Sequence, residues 1–151
     1  ARGPGMSTGY IDSDDAEEKS YFDGWLRTRD VAEVDKDGYL YIVDRVDNMI
    51  VSGGENIYPA AVERVLGNHP DVAEACVFGR DDEDWGQIVT AVVVAEDGAE
   101  LTDGDLDDYC RQHDGLADFK RPRAYAITHD PLPRSDTGTV IRDRLVEAHF
   151  P

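Results

Sequence analysis

Four stretches of this sequence carry residue types that could do chemistry. The first is Ser52-Gly53-Gly54-Glu55-Asn56-Ile57. Paired glycines let a backbone approach a ligand closely or take positive φ, and a helix start just beyond could help hold phosphate. A plain connecting loop uses the same residues. The second is Thr28-Arg29-Asp30 with Arg45-Val46-Asp47. A carboxylate there could accept hydrogen bonds from ribose hydroxyls, although surface Asp is common in this chain. The third is Phe119-Lys120-Arg121-Pro122-Arg123, the densest basic cluster. An aromatic can stack on adenine and arginines can fork onto phosphate. The alternative is a cluster paired with neighbouring Asp, and its position in so acidic a chain favours the ligand reading. The fourth is Pro133-Arg134-Ser135-Asp136-Thr137-Gly138-Thr139, a glycine-bearing loop that could cradle phosphate or simply turn.

Other chemistries find little support. No nucleophile triad is recognisable. His69, His113, His129 and His149 are isolated from one another and lack metal-ligand spacing. Cys76 falls in a strand-like run and Cys110 on the apolar side of an expected helix, so both read as small core residues suited to a reducing compartment.

The elements that must position these stretches are readable from periodicity. Val31–Val34 and Tyr39–Val43 are expected strands joined through Asp37-Gly38, a hairpin signal. Residues 47–56 read as a polar loop. Pro59 suits the first turn of a helix, with Val62, Val65 and Leu66 as its apolar stripe and Gly67 and Pro70 as its end. Val72–Phe78 and Ile88–Ala95 are strands, the second apolar enough to be central. Thr102 and Asp105 can cap a helix that buries Leu106, Tyr109 and Cys110. Arg123–Thr128 is a further strand, and Ile141, Leu145 and Ala148 mark a last helix. The fold class expected is α+β: an N-terminal β-hairpin, then a small mixed sheet flanked by helices.

Charge bounds the partners. Asp and Glu number 33 against 15 Lys and Arg, for a net charge of -18. The acid is spread along the chain, with Asp14-Asp15, Asp81–Asp84 and Asp103–Asp108 densest, and no run matches a calcium loop. Phosphate would be repelled from such a surface, so nucleic acid is not an expected partner. The only lysines are Lys19, Lys36 and Lys120. A solvated acidic surface of this kind suits a salt-rich cytoplasm, where self-repulsion is screened, so a halophilic source is expected. Hydrophobic residues make up 40%, enough for a core, but no apolar run is long enough to span a membrane. The start, Ala1-Arg2-Gly3-Pro4, has neither an initiator Met nor a signal peptide and reads as cut from a longer chain.

Taken in order, these segments resemble the adenylate-forming enzymes: acyl- and aryl-CoA synthetases, luciferases and peptide-synthetase adenylation domains. The likeness runs through Arg2-Gly3-Pro4, Gly9-Tyr10, Asp23-Gly24-Trp25-Leu26, Thr28 to Asp30, Asp37-Gly38-Tyr39 and Asp44 to Ile50. It continues through Ser52 to Pro59 and Glu63, Trp85-Gly86-Gln87, Phe119 to Pro122 and Leu132-Pro133-Arg134 with Gly138, nearly the whole chain. The phrases at 52–59, 85–87 and 116–122 look most like CoA ligases for benzoate-type and medium-chain acids.

The resemblance implies a chain of two parts. Residues 1–46 would be the tail of a large N-terminal domain, including the hairpin at 31–44, and 47–151 a C-terminal lid. Such enzymes make an acyl-adenylate from ATP and a carboxylic acid, then let CoA displace AMP, with the lid swinging between the steps. Magnesium is expected with ATP. By resemblance Asp30 and Arg45 would serve the nucleotide and Asp47 the hinge. Gly53, Gly54 and Trp85 would line the pantetheine channel, and Phe119, Arg121 and Arg123 would meet the CoA nucleotide. The partner would be the large adenylation domain, which holds the phosphate loop and acid pocket, so the isolated chain is expected to be inactive. The sequence departs from the pattern twice. Arg29 replaces a glycine, and Thr139 stands where the family has a lysine that stabilises charge during adenylation, so adenylation is expected to be impaired. Arg142 lies too far along to substitute without a loop shift. The alternative is a non-catalytic, degenerate CoA-binding or regulatory module.

Overall fold

The computed structural model describes residues 1–7, 9 and 20–151. Tyr10, Asp14-Asp15 and Lys19 lie outside the described residues. The chain divides into two compact units, Ala1–Asp47 and Asn48–Pro151.

In the first unit, β1 (Tyr21–Phe22) and β2 (Trp25–Leu26) pair through Asp23-Gly24. Both turn residues have positive φ, 48° and 74°. That is the backbone a two-residue hairpin needs to follow strand twist, and it explains the Asp-Gly pair. The expected hairpin follows as β3 (Asp30–Val34) and β4 (Leu40–Arg45). Its turn is organised by Asp35, whose carboxylate accepts from the Asp37 and Tyr39 N–H groups at 2.9 Å each.

The second unit is a five-stranded mixed sheet with helices on both faces. Its strands are β5 (Ile50–Ser52), β6 (Glu55–Ile57), β7 (Val72–Asp82), β8 (Gly86–Ala95) and β9 (Ala124–Thr128). β8 is central, antiparallel to β7 and parallel to β9. Its unbroken apolar run follows from burial on two sides. Val89, Ala91 and Val93 face α1 (Pro59–Leu66) and α2 (Asp103–Gln112), while Val92 and Val94 face Leu132 and α3 (Arg142–His149). Cys76 and Cys110 are buried, one in each core. Pro59 opens α1, and Thr102 caps α2 in a reciprocal box with Asp105. The α+β expectation, hairpin first, therefore holds.

Two local expectations change. Residues 47–56 are not simply a loop: β5 and β6 form a hairpin there, and Gly53 and Gly54 are its turn, with φ of 57° and 86°. Strand β6 then separates this turn from α1, so the glycines do not form a helix-start phosphate cradle. In α3 only Leu145 is fully buried, while Ala148 is exposed. No helix among the described residues is long and apolar enough to cross a membrane.

Candidate functional site

The tip of the β7–β8 hairpin positions the main aromatic group. Asp82 Oδ1 accepts from the N–H groups of Asp84 (3.0 Å) and Trp85 (2.9 Å), and Gly86 takes φ of 74°. This tight turn presents the Trp85 indole, 58% exposed, over the Gly53 turn. Gly53 N–H donates to the Trp85 carbonyl at 2.9 Å. A Cβ at Gly53 would lie 2.7 Å from Trp85 Cε3, inside contact distance, so bare backbone is required under the ring. Gln87 braces the arrangement: its Oε1 accepts from Val51 N–H at 2.9 Å, tying β5 to β8.

Opposite stands a 3-10 turn, Asp118–Lys120, carrying Phe119. Lys120 Nζ sits 5.7 Å from the Phe119 ring centroid, and Arg123 N–H donates to Val89 C=O at 2.8 Å, anchoring the segment to β8. Together Gly53, Trp85, Phe119 and Arg123 line one cleft of about 540 Å³. Its rim also carries Glu55, Asp82, Asp84 and Asp118. The cleft thus offers a bare backbone strip, two aromatic surfaces and one arginine.

Two residues of the expected set lie outside this cleft's lining. Gly54 completes the turn at positive φ. Arg121 is only 7% exposed and is ion-paired to both Asp107 and Asp118, the latter at 3.1 Å. The basic cluster therefore divides: Arg123 faces the cleft, while Arg121 is a buried strut between α2 and the 3-10 turn. Its main partner stands fourteen residues earlier, too remote for the cluster's composition to reveal.

In the first unit, Asp30 and Arg45 are cross-strand neighbours, with Arg45 Nε 3.7 Å from Asp30 Oδ1 and its Nη2 donating to Thr28 C=O at 3.2 Å. Asp47, the unit's last residue, is gripped by Arg29 through two guanidinium nitrogens, Nε at 2.8 Å. That hydrogen bonding holds the Asp47 carboxyl below the usual carboxylate range. Arg29 occupies φ of 63°. The glycine that resemblance expects there is explained by this left-handed backbone, and the paired side chain offsets part of the strain.

Thr139 lies on an exposed loop, away from the cleft lining. Its N–H donates to Ser135 Oγ at 3.2 Å and its carbonyl accepts from Ser135 N–H at 2.8 Å, with Gly138 at φ of 84°. The arginines on either side in sequence are engaged. Arg134 donates to Gly138 C=O at 2.7 Å and pairs with Glu74. Arg142 turns toward Val77 C=O (3.4 Å), Glu63 (3.5 Å) and Asn48 (3.5 Å). Among the described residues no group of three or more His, Cys, Asp and Glu is placed to hold a metal ion, so magnesium is assigned to no residue here.

Comparison with known proteins fits this arrangement. Residues 61–139 match the AMP-binding enzyme C-terminal domain. The chain is 42% identical over 144 residues to the 2-succinylbenzoate–CoA ligase of Bacillus licheniformis, covering 95% of this chain and 29% of the relative. The Bacillus subtilis ligase of the same name is 41% identical over 147 residues, covering 97% and 29%. The o-succinylbenzoate CoA synthetase of Bacillus subtilis, solved with its acyl-adenylate intermediate, superposes with a TM-score of 0.86 at 40% identity, over 95% of this chain and 29% of the other. The amide bond synthetase McbA from Marinactinospora thermotolerans gives 0.88 at 34% identity, over 99% and 30%. The chain thus spans under a third of the length of these relatives. With the match at 61–139 covering more than half of its residues, the chain belongs to the family of AMP-binding enzyme C-terminal domains.

Proposed function

We propose that this chain is the C-terminal part of an ATP-dependent, AMP-forming acid–CoA ligase, and that its cleft receives the CoA arm during thioester formation. The observation that carries this reading is the Gly53–Trp85 contact. A narrow acyl-carrying arm needs a channel wall of bare backbone, and Gly53 beneath the exposed indole supplies one. Phe119 offers a face for adenine and Arg123 a fork for phosphate at the same cleft. Asp30 is the residue for the AMP ribose, Arg45 supports the nucleotide, and Asp47 is the hinge, since the boundary between the two compact units falls directly after it. On this reading residues 1–46 belong with a large N-terminal adenylation domain, which supplies the phosphate loop, acid pocket and magnesium contacts. The degenerate-module alternative is not favoured, the relatives matched being CoA ligases.

The first acid to offer is 2-succinylbenzoate, which the names of the relatives carry. The -18 charge belongs, in the same reading, to a salt-rich cytoplasm. The test is a split assay on the full-length enzyme. Trp85→Ala should slow AMP release from a supplied acyl-adenylate plus CoA by about tenfold or more, consistent with loss of a large buried-on-binding aromatic, and spare pyrophosphate release from acid and ATP. Equal effects on both halves would contradict the assignment of the cleft to CoA.

A further inference from the structure

The cleft does not end at Arg123. That residue also lines a second groove, of about 400 Å³, running between α2 and the start of β9. The two concavities differ in charge. Four carboxylates face one arginine in the cleft. The groove is lined by three arginines, Arg111, Arg121 and Arg123, with Asp103 and Asp107, while Asp118 pairs with Arg121 and Arg123 from the cleft side. In a chain of net charge -18, a path from an acidic cleft to a groove whose arginines balance its carboxylates is a local concentration of cations.

The three arginines are not equally free. Arg121 is buried and held by Asp107 and Asp118, so its donors are committed within the protein. Arg123 is bound loosely, 3.6 Å from Asp118. The Arg111 side chain is 56% exposed; among the described residues its ion-pair partner is Asp107, at 3.0 Å, and that carboxylate is already shared with Arg121. An incoming phosphate would meet the remaining donors of Arg111 and of Arg123, whose Nη2 reaches the Asp118 carbonyl only at 3.5 Å, over an Asp107 already neutralised by two guanidinium groups. Bidentate recognition of a phosphomonoester dianion asks for such a pair.

We infer that Arg111 is a specificity-determining residue of the thiol-donor site, binding with Arg123 the phosphomonoester on the ribose of CoA, while Arg121 serves only to fix the geometry between them. This rests on the CoA reading above and adds a residue to it. The pyrophosphate passes Arg123 and the ribose phosphate reaches the groove beyond. CoA and dephospho-CoA differ by that one group, so they isolate it.

The experiment compares kcat/KM for CoA and dephospho-CoA in the full-length ligase. The unsubstituted enzyme should prefer CoA. Arg111→Ala should lower kcat/KM for CoA about tenfold, the low end for a charge-assisted contact on an exposed arginine, and abolish the preference. Arg111→Lys, which keeps the charge but not the fork, should recover part of it. Arg111 is exposed at the end of α2, so these variants test binding rather than folding. A preference unchanged in Arg111→Ala, with CoA turnover intact, overturns the role of Arg111 alone. An unsubstituted enzyme that turns over no CoA at all overturns the functional reading and this inference with it.

Discussion

The Trp85 cleft and the Thr139 loop are both glycine-bearing turns on one small unit, yet they are equipped very differently. At the cleft the special residues line a concavity: bare backbone at Gly53 under the Trp85 ring, two exposed aromatics, and an arginine held loosely by Asp118. At the loop, polarity is turned inward. Ser135 and Thr137 bond to one another, Arg134 bonds the Gly138 carbonyl, and Arg142 is spent on Val77, Glu63 and Asn48. Thr139 itself carries no charge, and the loop's arginine, Arg134, is bound to the Gly138 carbonyl and to Glu74. On the proposed function, the contrast means that one lid would keep the fittings for one half-reaction while lacking a charge for the other.

Four changes would sharpen or break that contrast. The largest effect is expected from Thr139→Lys, which restores a cation to an exposed loop tip. Adenylation by the full-length enzyme should rise by about 10²–10³, the usual worth of one preorganised charge-stabilising contact, as read by pyrophosphate release. Next is Arg121→Ala. Removing a buried guanidinium leaves Asp107 paired with the exposed Arg111 alone and should destabilise the chain by about 3 kcal/mol, the low end for a broken buried pair because Asp118 can rehydrate. Denaturant melts would measure it, and a change below experimental error would return Arg121 to the ligand set. Gly53→Ala comes third. It forces a Cβ at positive φ against the Trp85 ring, for about 1–2 kcal/mol of strain, and should impair thioester formation more than adenylation.

The smallest effect concerns the first unit. Asp47 has a depressed carboxyl because Arg29 hydrogen-bonds its ionised form. The pairing therefore stabilises above the ordinary Asp range and is lost as pH falls through the lowered value. Arg29→Gly should relieve the backbone strain and remove this acid-dependent contribution together, leaving stability at neutral pH nearly unchanged. NMR titration of Asp47 should show its pKa returning upward in that variant. Salt acts on both units at once: melting temperature should rise from low to multimolar KCl, and a flat response would remove the halophilic reading.

Much of the fold was legible because burial writes itself into pattern. The Ile88–Ala95 run, the Thr102–Asp105 box and Pro59 each have a local physical cause and appear where expected. β5 and β6 escaped because three-residue strands are too short to show alternation, and because Gly53-Gly54 fits a ligand loop and a hairpin turn equally well. β7 runs on to Asp82 through polar residues that pairing with β8, not hydrophobicity, holds in place. At the site, the residue types of the cleft were readable, but the division of labour among the arginines was not. Arg121 and Arg123 are two positions apart, and only the packing of α2 decides that one is buried and the other open.

The central claim is that this lid is better fitted for transfer to CoA than for adenylation. It is tested most directly by measuring both half-reactions on the unsubstituted full-length enzyme in single turnover. Conversion of supplied acyl-adenylate to thioester should outrun formation of that adenylate from acid and ATP by about 100-fold, the deficit of one missing charge. An enzyme that forms its adenylate as fast as it consumes it would contradict the account.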